Sequence, residues 1–370
     1  MKIIKLLAFA TSVAIMSSCD KDSKDKDDWS CYQPTNYTDL SADGTANCYL
    51  ISDVGGYKFK TVRGNTDVSV GNVVEASVLW ESFGTDVKPR VGALISSVSV
   101  KGGYIFFATR NTFEQGNAVI AAKDDSGTIL WSWHIWCSSE GWTEQTYFNN
   151  AGTMMDRNLG ALSATPGDAG ALGLLYEWGR KDPFLGSSSI SSNTQAVSTG
   201  TWSLSTSPIT QAKSIENPTT FYGIPADKSW NDRNALPNDS WNKNKTDYDP
   251  CPPGWRIPDY DVWRKALDFN HFGMGGIKYC DIEWDKENKG IPLGGRLGQA
   301  KNIWYPATGY LSGHFERSGH LLISVGGIVA THDSDIDPYF GDEHISEYVH
   351  KTNQPYHNDG GYAVRCLKEE

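Results

Sequence analysis

The stretch C-P-P-G-W-R-I-P, residues 251–258, decides the fold of the second half of the chain. Its prolines restrict the backbone and its glycine permits conformations that other residues avoid, so it predicts a rigid turn. The following D-Y-D-V-W-R-K-A-L predicts a short helix with Asp259 as its N-cap. Further along, G-G-Y-A-V-R-C, residues 360–366, is typical of a closing strand. We expect these two ends of one domain to meet, joined by a disulfide between Cys251 and Cys366.

Four ordered motifs in this half carry a resemblance to a known family. They are D-R-N-L-G-A (156–161), G-L-L-Y-E-W-G-R (173–180), D-P-C-P-P-G-W-R-I-P (249–258) and Y-A-V-R-C (362–366). Together they resemble the Fibrobacter succinogenes major paralogous domain over residues 150–370. That family is abundant in secreted and surface proteins of Bacteroidetes-type bacteria and is similar to C-type-lectin-like folds. The resemblance therefore implies a mixed α/β domain with long loops, and it does not imply an enzyme.

Residues 1–18 predict a lipoprotein signal peptide. Lys2 and Lys5 stand at the start of an apolar run that ends at Met16, which is too short to span a membrane. The ending M-S-S-C resembles a bacterial lipoprotein signal, so Cys19 is expected to be acylated and to attach the protein to the outer membrane. The alternative is that Cys19 is an ordinary thiol near a different cleavage site.

Residues 19–30 predict a charged tether. Every residue from 20 to 28 except Ser23 is charged, so the segment has no apolar side chain to bury. It resembles the surface-export signal of Bacteroidetes lipoproteins, and a plain linker is the alternative. The formal net charge of −11 becomes −13 when the signal peptide takes two lysines away. Such an acidic chain is not expected to bind nucleic acid.

Residues 31–140 predict a β-rich, sandwich-like domain. Short runs of β-branched and aromatic residues alternate with glycine-rich turns, as in a β-sandwich. The clearest hairpin joins residues 117–123 to residues 128–136 through the turn D-D-S-G. This module also resembles N-terminal regions of Bacteroides-type surface and fimbria-associated lipoproteins. The whole chain is thus predicted to be α+β, with a β-sandwich-like domain before the C-type-lectin-like domain.

Tryptophans line the second strand of that hairpin. Alternation places Trp131 and Trp133 on one face, with His134 and Trp136 on the other. Flat aromatic rings could form a glycan platform. Sheet core or a seam between domains is the alternative.

The second domain offers two further local predictions. Asp168 is expected to cap a helix over residues 169–179, whose leucines and aromatic residues form a broad apolar face. For Asp156 and Arg157, a buried Asp or Arg pairing that fixes the fold is expected rather than a role in catalysis.

Candidate ligand-binding residues are Trp230, Asn231, Asp232 and Trp241. The W-N-D triplet occurs in calcium-dependent lectins, where its oxygens suit a hard cation and sugar hydroxyls. The companion E-P-N or Q-P-D triplet is missing, and the W-N-D triplet precedes the C-P-P-G-W turn. The histidines of the second half lack the close paired spacing of zinc sites. Neither a metal site nor a cofactor is therefore predicted.

Six cysteines remain after lipidation, in a compartment that permits disulfides. Beside the predicted pair, the other four allow three pairings, or none. They are Cys31, Cys48, Cys137 and Cys280.

The predicted function is that of a surface-exposed outer-membrane lipoprotein, a binding or adhesion module for a glycan or protein ligand, with fimbrial association left open. A structural subunit of a surface assembly is the alternative. A third reading is an enzyme of the formylglycine-generating type, which shares a lectin-like fold and uses a reactive cysteine pair. The chain has no G-x-S-x-G or H-E-x-x-H motif, so we do not expect an enzyme. Free thiols of low pKa at Cys280 or Cys366 would favour one.

Overall fold

The computed structural model describes residues 16–17, 30–147, 150–192, 194–223, 241, 244–259, 262, 285–293, 303–311, 321–322 and 360–370. Within this described part, 36% of the residues lie in strands and 4% are helical. The predicted α+β class, with its C-type-lectin-like mixed α/β domain, is therefore wrong, and the fold is nearly all β. No described helix has the length and apolar character needed to cross a membrane.

Sheet A forms one layer of the first half. Its strands are β1 (Met16–Ser17), β2 (Thr38–Asp39), β4 (Gly56–Lys60), β6 (Ser97–Lys101) and β7 (Tyr104–Ala108). They lie in the order β1-β6-β7-β4-β2, and all pairs are antiparallel except β2 with β4. The strand β1, which pairs with β6, belongs to the predicted signal peptide.

Sheet B forms the second layer. Its strands are β3 (Cys48–Ile51), β5 (Glu75–Ser82), β8 (Gly116–Lys123) and β9 (Ile129–Cys137), in the order β3-β9-β8-β5. Strands β8 and β9 form the hairpin that the sequence predicts, which is confirmed. Its turn is held by Asp124, whose Oδ1 accepts hydrogen bonds from the backbone N–H groups of Ser126 and Thr128, both at 2.9 Å. Strand β3 runs parallel to β9.

One face of sheet B packs on sheet A. The Phe59 ring of β4 lies 5.1 Å from the Trp133 ring and 5.2 Å from the Tyr49 ring, measured between centroids. Trp131 and Ile135 belong to the same core, as the period-two alternation of β9 requires. The tryptophans of this face are therefore core residues.

The other face of sheet B is also buried, against the second half of the chain. Trp136 packs in a core that includes Met155 and Val364, and its Nε1 donates a hydrogen bond to the Ala161 carbonyl at 3.1 Å. Trp80 packs on Trp202 at 5.4 Å between ring centroids. Sheet B is thus a central layer that both halves share.

Short strands build the second half. They are β10 (Glu144–Thr146), β11 (Thr153–Met155), β12 (Leu174–Glu177), β13 (Pro183–Leu185), β14 (Ser203–Leu204), β15 (Thr220–Phe221), β16 (Trp255–Arg256), β17 (Gly290–Leu293), β18 (Ile303–Pro306), β19 (Tyr310–Leu311), β20 (Leu321–Leu322), β21 (Gly361–Ala363) and β22 (Leu367–Lys368). A 3-10 helix spans Ala169–Ala171, and the helix α1 spans Gln211–Ile215.

The segment of residues 361–368 joins two of these sheets, because its strands β21 and β22 belong to different ones. One sheet has the order β10-β11-β22-β16, another has the order β13-β12-β21-β19-β20, and β14-β15 and β17-β18 form separate pairs. Between β21 and β22 lies Cys366, which forms a disulfide with Cys251, so the predicted pairing is confirmed. The turn and the closing strand therefore meet as the sequence indicates.

The predicted helix over residues 169–179 is wrong beyond its first turn. Asp168 does cap the 3-10 helix, because its Oδ1 accepts a hydrogen bond from the Gly170 N–H at 2.8 Å. Gly173, with φ of +75°, then ends the turn. The next four residues are all buried in β12, between β13 and β21. A strand covered on both sides has a continuous apolar run, and such a run also suits a buried helix.

The helix expected after residue 258 begins as predicted. The Asp259 carboxylate accepts a hydrogen bond from the backbone N–H of Val262 at 3.1 Å, and Val262 is helical and buried. Asp259 therefore occupies the N-cap position. Residues 263–267 lie outside the described part.

Candidate ligand-binding cleft

An open cleft of about 660 Å³ lies between the first half and the C-P-P-G-W turn. We call it the seam cleft. Its first-half wall consists of residues 41–45, Lys60 and residues 65–67. Its second-half wall consists of residues 244–245, residues 253–254 and Glu369.

The first-half wall is built from two turns. Asp39 at the end of β2 accepts hydrogen bonds from the Ser41 N–H at 3.0 Å and the Ser41 hydroxyl at 2.7 Å. The second turn is joined to the first through Thr45, whose hydroxyl donates to the Thr66 carbonyl at 2.7 Å. Asn65 takes a left-handed conformation with φ of 62°, which asparagine tolerates better than most residues. These side chains hold the turns in place.

The second-half wall is held by Asp249, which is fully buried. Its Oδ1 accepts from the Cys251 N–H at 2.8 Å, and its Oδ2 accepts from the Ile257 N–H at 2.9 Å. Both bonds pin the C-P-P-G-W-R-I turn to one carboxylate, while burial raises the pKa of that carboxyl group. The turn is therefore fixed by the Asp249 bonds and by the disulfide at Cys251, in addition to its prolines.

Hydrogen bonds between residues far apart in sequence tie the two walls together. The Asn65 amide donates to the Thr246 carbonyl at 2.6 Å, and the Asn47 amide donates to the carbonyls of Asp247 and Asp249, both at 2.8 Å. Arg63 also lies 3.2 Å from the Asp247 carboxylate. The width of the seam cleft is thus set by direct contacts between the halves.

Charged groups of both signs line the seam cleft. Lys245 is largely buried, donates to the Pro252 carbonyl at 2.8 Å and lies 3.5 Å from the Glu369 carboxylate. Burial lowers the pKa of Lys245. On the other wall, the Lys60 ammonium lies 3.4 Å from the exposed Asp67 carboxylate. No aromatic ring belongs to the described lining, so the cleft offers hydrogen bonds and charge to a hydrophilic ligand.

Trp241 is the one predicted ligand-binding residue within the described part, and it does not line the seam cleft. Trp230, Asn231 and Asp232 lie outside the described part, as does Cys19. Trp241 is fully buried, packs on Trp178 with ring centroids 6.2 Å apart, and donates its Nε1 hydrogen to the Tyr248 carbonyl at 3.0 Å. It is therefore a core residue.

The cysteines left open by the sequence take different states. Cys48 and Cys137 are free and buried on opposite faces of sheet B, since they belong to the two different cores. Burial raises the pKa of both thiols. Cys31 is in a disulfide, and Cys280 lies outside the described part.

A buried polar cluster between β9 of sheet B and the second half of the chain was not predicted. The Lys181 ammonium donates to the Ser132 hydroxyl and to the Asp182 carboxylate, both at 2.6 Å, and lies 4.6 Å from the centroid of the Trp131 ring. Burial lowers the pKa of Lys181. These groups are closed off from solvent and mutually satisfied, so they clamp the second half to β9. The only sequence signal for this cluster is the triplet R-K-D, residues 180–182, which directly follows an apolar run.

The described residues include no group of three histidine, cysteine or acidic side chains placed to hold a metal ion. In comparisons with family models, curated proteins and solved structures, no match to this chain was found.

Proposed function

We propose that the protein is a lipid-anchored protein of the outer membrane, exposed at the cell surface, that binds a glycan or protein ligand in the seam cleft. The observation that carries this proposal is the cleft itself, about 660 Å³ in volume with both walls pinned by hydrogen bonds. Preformed concave sites of this size are where small ligands bind in most proteins. A fixed cleft also lowers the entropic cost of binding.

The lining favours a hydrophilic ligand. Ammonium groups at Lys60 and Lys245 and carboxylates at Asp67 and Glu369 can bond hydroxyl, carboxylate and amine groups. Sugars with charged substituents and polar peptide segments carry such groups. The four motifs that resemble the Fibrobacter succinogenes major paralogous domain, and the predicted lipid attachment at Cys19, support a surface location.

The alternative is a structural subunit of a surface assembly, and one observation favours it. Strand β1 pairs with the edge of β6, at Met16 with Val98 and at Ser17 with Ser97. Cleavage before Cys19 would remove β1 and leave that edge open to a strand from another protein. A complex of the mature chain that survives size-exclusion chromatography, with amide protection on β6, would support this function.

Enzyme chemistry of the formylglycine-generating type has no support among the described cysteines. Cys366 is held in the disulfide, and the free thiols of Cys48 and Cys137 are buried with raised pKa. Thiolate chemistry needs an accessible thiol of lowered pKa.

The test is an array of glycans and peptides probed with the mature chain in which serine replaces Cys19. We expect saturable binding that Lys60→Glu or Asp67→Lys weakens at least tenfold. The matched control is Lys213→Glu, a charge reversal at an exposed lysine of α1 that pairs with Glu216 at 2.8 Å. Arrays without a saturable ligand, or a ligand whose affinity none of these changes alters, would contradict the proposal.

A further inference from the structure

The connection from β5 to β6 projects an apolar and basic tip into solvent. The tip, V-K-P-R-V, spans residues 87–91, and we call residues 86–91 the valine loop. Val87 is 62% exposed and Val91 is 69% exposed, the highest values among the described large apolar side chains. Lys88 and Arg90 are also exposed. The tip therefore exposes two apolar side chains beside two cations.

The base of the valine loop is held firmly. The buried Glu81 carboxylate of β5 accepts hydrogen bonds from the backbone N–H groups of Leu94 and Ile95, both at 2.8 Å. Arg110 donates its Nε hydrogen to the Gly92 carbonyl at 2.7 Å. The two valines are therefore presented on a fixed support.

The tether enters the fold at the same place. Cys31 forms a β-bridge with Arg110, and the Asn111 N–H donates to the Ser30 carbonyl at 3.3 Å. Arg110 thus contacts both Gly92, which follows the valine loop, and Cys31, which follows the tether. The valine loop and Ser30, the last residue of the tether, therefore lie at one end of sheet A.

The length of the tether keeps this end near the membrane. A fully extended chain spans at most about 3.5 Å per residue, so residues 19–30 reach about 40 Å. This step rests on the proposed attachment at Cys19. An anchored chain therefore holds the valine loop within reach of the lipid surface.

The chemistry of the loop suits a membrane interface. With Asp86 counted against Lys88 and Arg90, the loop carries one net positive charge in a chain whose formal charge is −11. Basic side chains prefer the phosphate level of a membrane, and apolar side chains between them enter the headgroup boundary.

The seam cleft lies at the other end of sheet A. At one end of β4, Gly56 pairs with Ala108, two residues before Arg110. At the opposite end of β4 stands Lys60, which lines the cleft. Contact of the valine loop with a membrane would therefore turn the cleft away from that membrane.

We propose that Val87 and Val91 insert into the headgroup region of the phospholipid membrane that holds Cys19, with Lys88 and Arg90 on lipid phosphates. The loop and the tether together form a two-point attachment. This attachment orients the seam cleft toward the exterior.

The test uses the full acylated chain in vesicles of phosphatidylethanolamine and phosphatidylglycerol. An environment-sensitive fluorophore is placed at Val87→Cys and, as a matched control, at Val68→Cys. Val68 is 57% exposed and follows the cleft residue Asp67. Labelling of the chain without added cysteine gives the background.

We expect a blue-shifted, severalfold stronger emission at position 87 in vesicles and no change at position 68. The double change Lys88→Glu and Arg90→Glu should reduce the signal at position 87 severalfold. Co-flotation with vesicles reports the lipid anchor separately.

Two results would overturn the loop contact while leaving the anchor intact. One is co-flotation with a water-exposed fluorophore at position 87, and the other is equal burial at positions 68 and 87. Protection of position 87 that appears only with added outer-membrane proteins would instead assign the loop to a protein partner. Loss of co-flotation would overturn both the anchor and the loop contact.

Discussion

His134 illustrates how a single side chain at the shared layer couples the two halves. It is buried in β9, and its Nε2 donates to the Asn117 Oδ1 at 2.9 Å. The Asn117 amide in turn donates to the Gly160 carbonyl at 2.9 Å. The Nδ1 atom of His134 has no partner among the described groups, and burial lowers the pKa of His134 to about 3. The ring is therefore neutral wherever the fold is intact near neutral pH.

This burial predicts a specific acid sensitivity. The unfolded chain binds a proton at His134 below pH about 6.5, whereas the folded chain resists protonation down to pH about 3. The His134 contribution to stability is thus unchanged above pH 6.5 and falls as the pH drops through this window. Each pH unit costs at most about 1.4 kcal/mol. Urea unfolding at pH 7 and pH 4.5 should show a smaller loss in His134→Gln than in the parent, and equal losses would refute the mechanism.

Glu81 should be the acid on which the 92–95 segment depends. Glu81→Gln replaces one carboxylate oxygen by an amide that cannot accept from backbone N–H groups. We expect a loss of about 1.5 to 3 kcal/mol in the free energy of unfolding, with faster amide exchange at Leu94 and Ile95. The control is Glu75→Gln on the same strand, whose side chain is 38% exposed and pairs with Lys123, and which should change stability by less than about 0.5 kcal/mol. A similar loss in both variants would contradict this role.

Some residue roles could be predicted from the sequence and others could not. The predicted buried pairing at Asp156 and Arg157 is confirmed, and the structure shows that the two residues pair with each other, with Arg157 Nε at 2.8 Å from Asp156 Oδ1. The seam cleft was not predicted. Its walls join residues 181 positions apart, such as Asn65 and Thr246, and local sequence patterns do not encode such contacts.

At the scale of elements, the strands of the first half could be predicted because short runs of β-branched and aromatic residues alternate there with glycine-rich turns. The run L-L-Y-E-W in the second half misled the prediction. Strand β12 is buried on both sides, and a run without alternation fits a helix equally well. Gly173 decides between the helix and the strand, because its left-handed conformation ends the helical turn before β12.

Gly173→Ala should therefore be costly. A Cβ at this position would lie 2.7 Å from the Leu159 carbonyl oxygen, and φ of +75° is unfavourable for alanine. We expect a loss of about 2 to 3 kcal/mol in the free energy of unfolding. Gly127→Ala is the matched control, because Gly127 has φ of +83° with no atom within 4 Å of the added Cβ, and its cost should be about 1 kcal/mol. Equal costs in urea unfolding would show that the close approach to Leu159 is unimportant.

For the whole molecule, the shared core of sheet B means that the halves should unfold together. One core contains Trp80 and Trp136 from the first half together with Cys251 and Cys366 from the second. Packing thus continues across the predicted boundary between residues 140 and 150. Sequence periodicity identified the strands of the first half but gave no sign that both faces of β9 are covered.

Removal of the disulfide tests this coupling. The bridge joins residues 115 positions apart, and loss of such a loop closure raises the entropy of the unfolded chain by the equivalent of about 4 to 5 kcal/mol. We expect the Cys251→Ser, Cys366→Ser double variant to lose up to this amount, with β4 and β12 amides shifting together in hydrogen exchange. Loss of protection in β12 alone, with β4 unchanged, would show that the halves are independent.

The C-terminal strands β21 and β22 also decide when the chain can complete its fold during synthesis. Leu175 of β12 pairs with Ala363, and Met154 of β11 pairs with Leu367. Neither sheet is therefore complete until residues 361–368 have been synthesised. Pairings this distant in sequence form slowly. Until residues 361–368 are made, β11 and β12 are each paired on one side only, with β10 and β13, and their other edges stay open. A product that stops before residue 361 should therefore keep these open edges and be prone to aggregation and degradation.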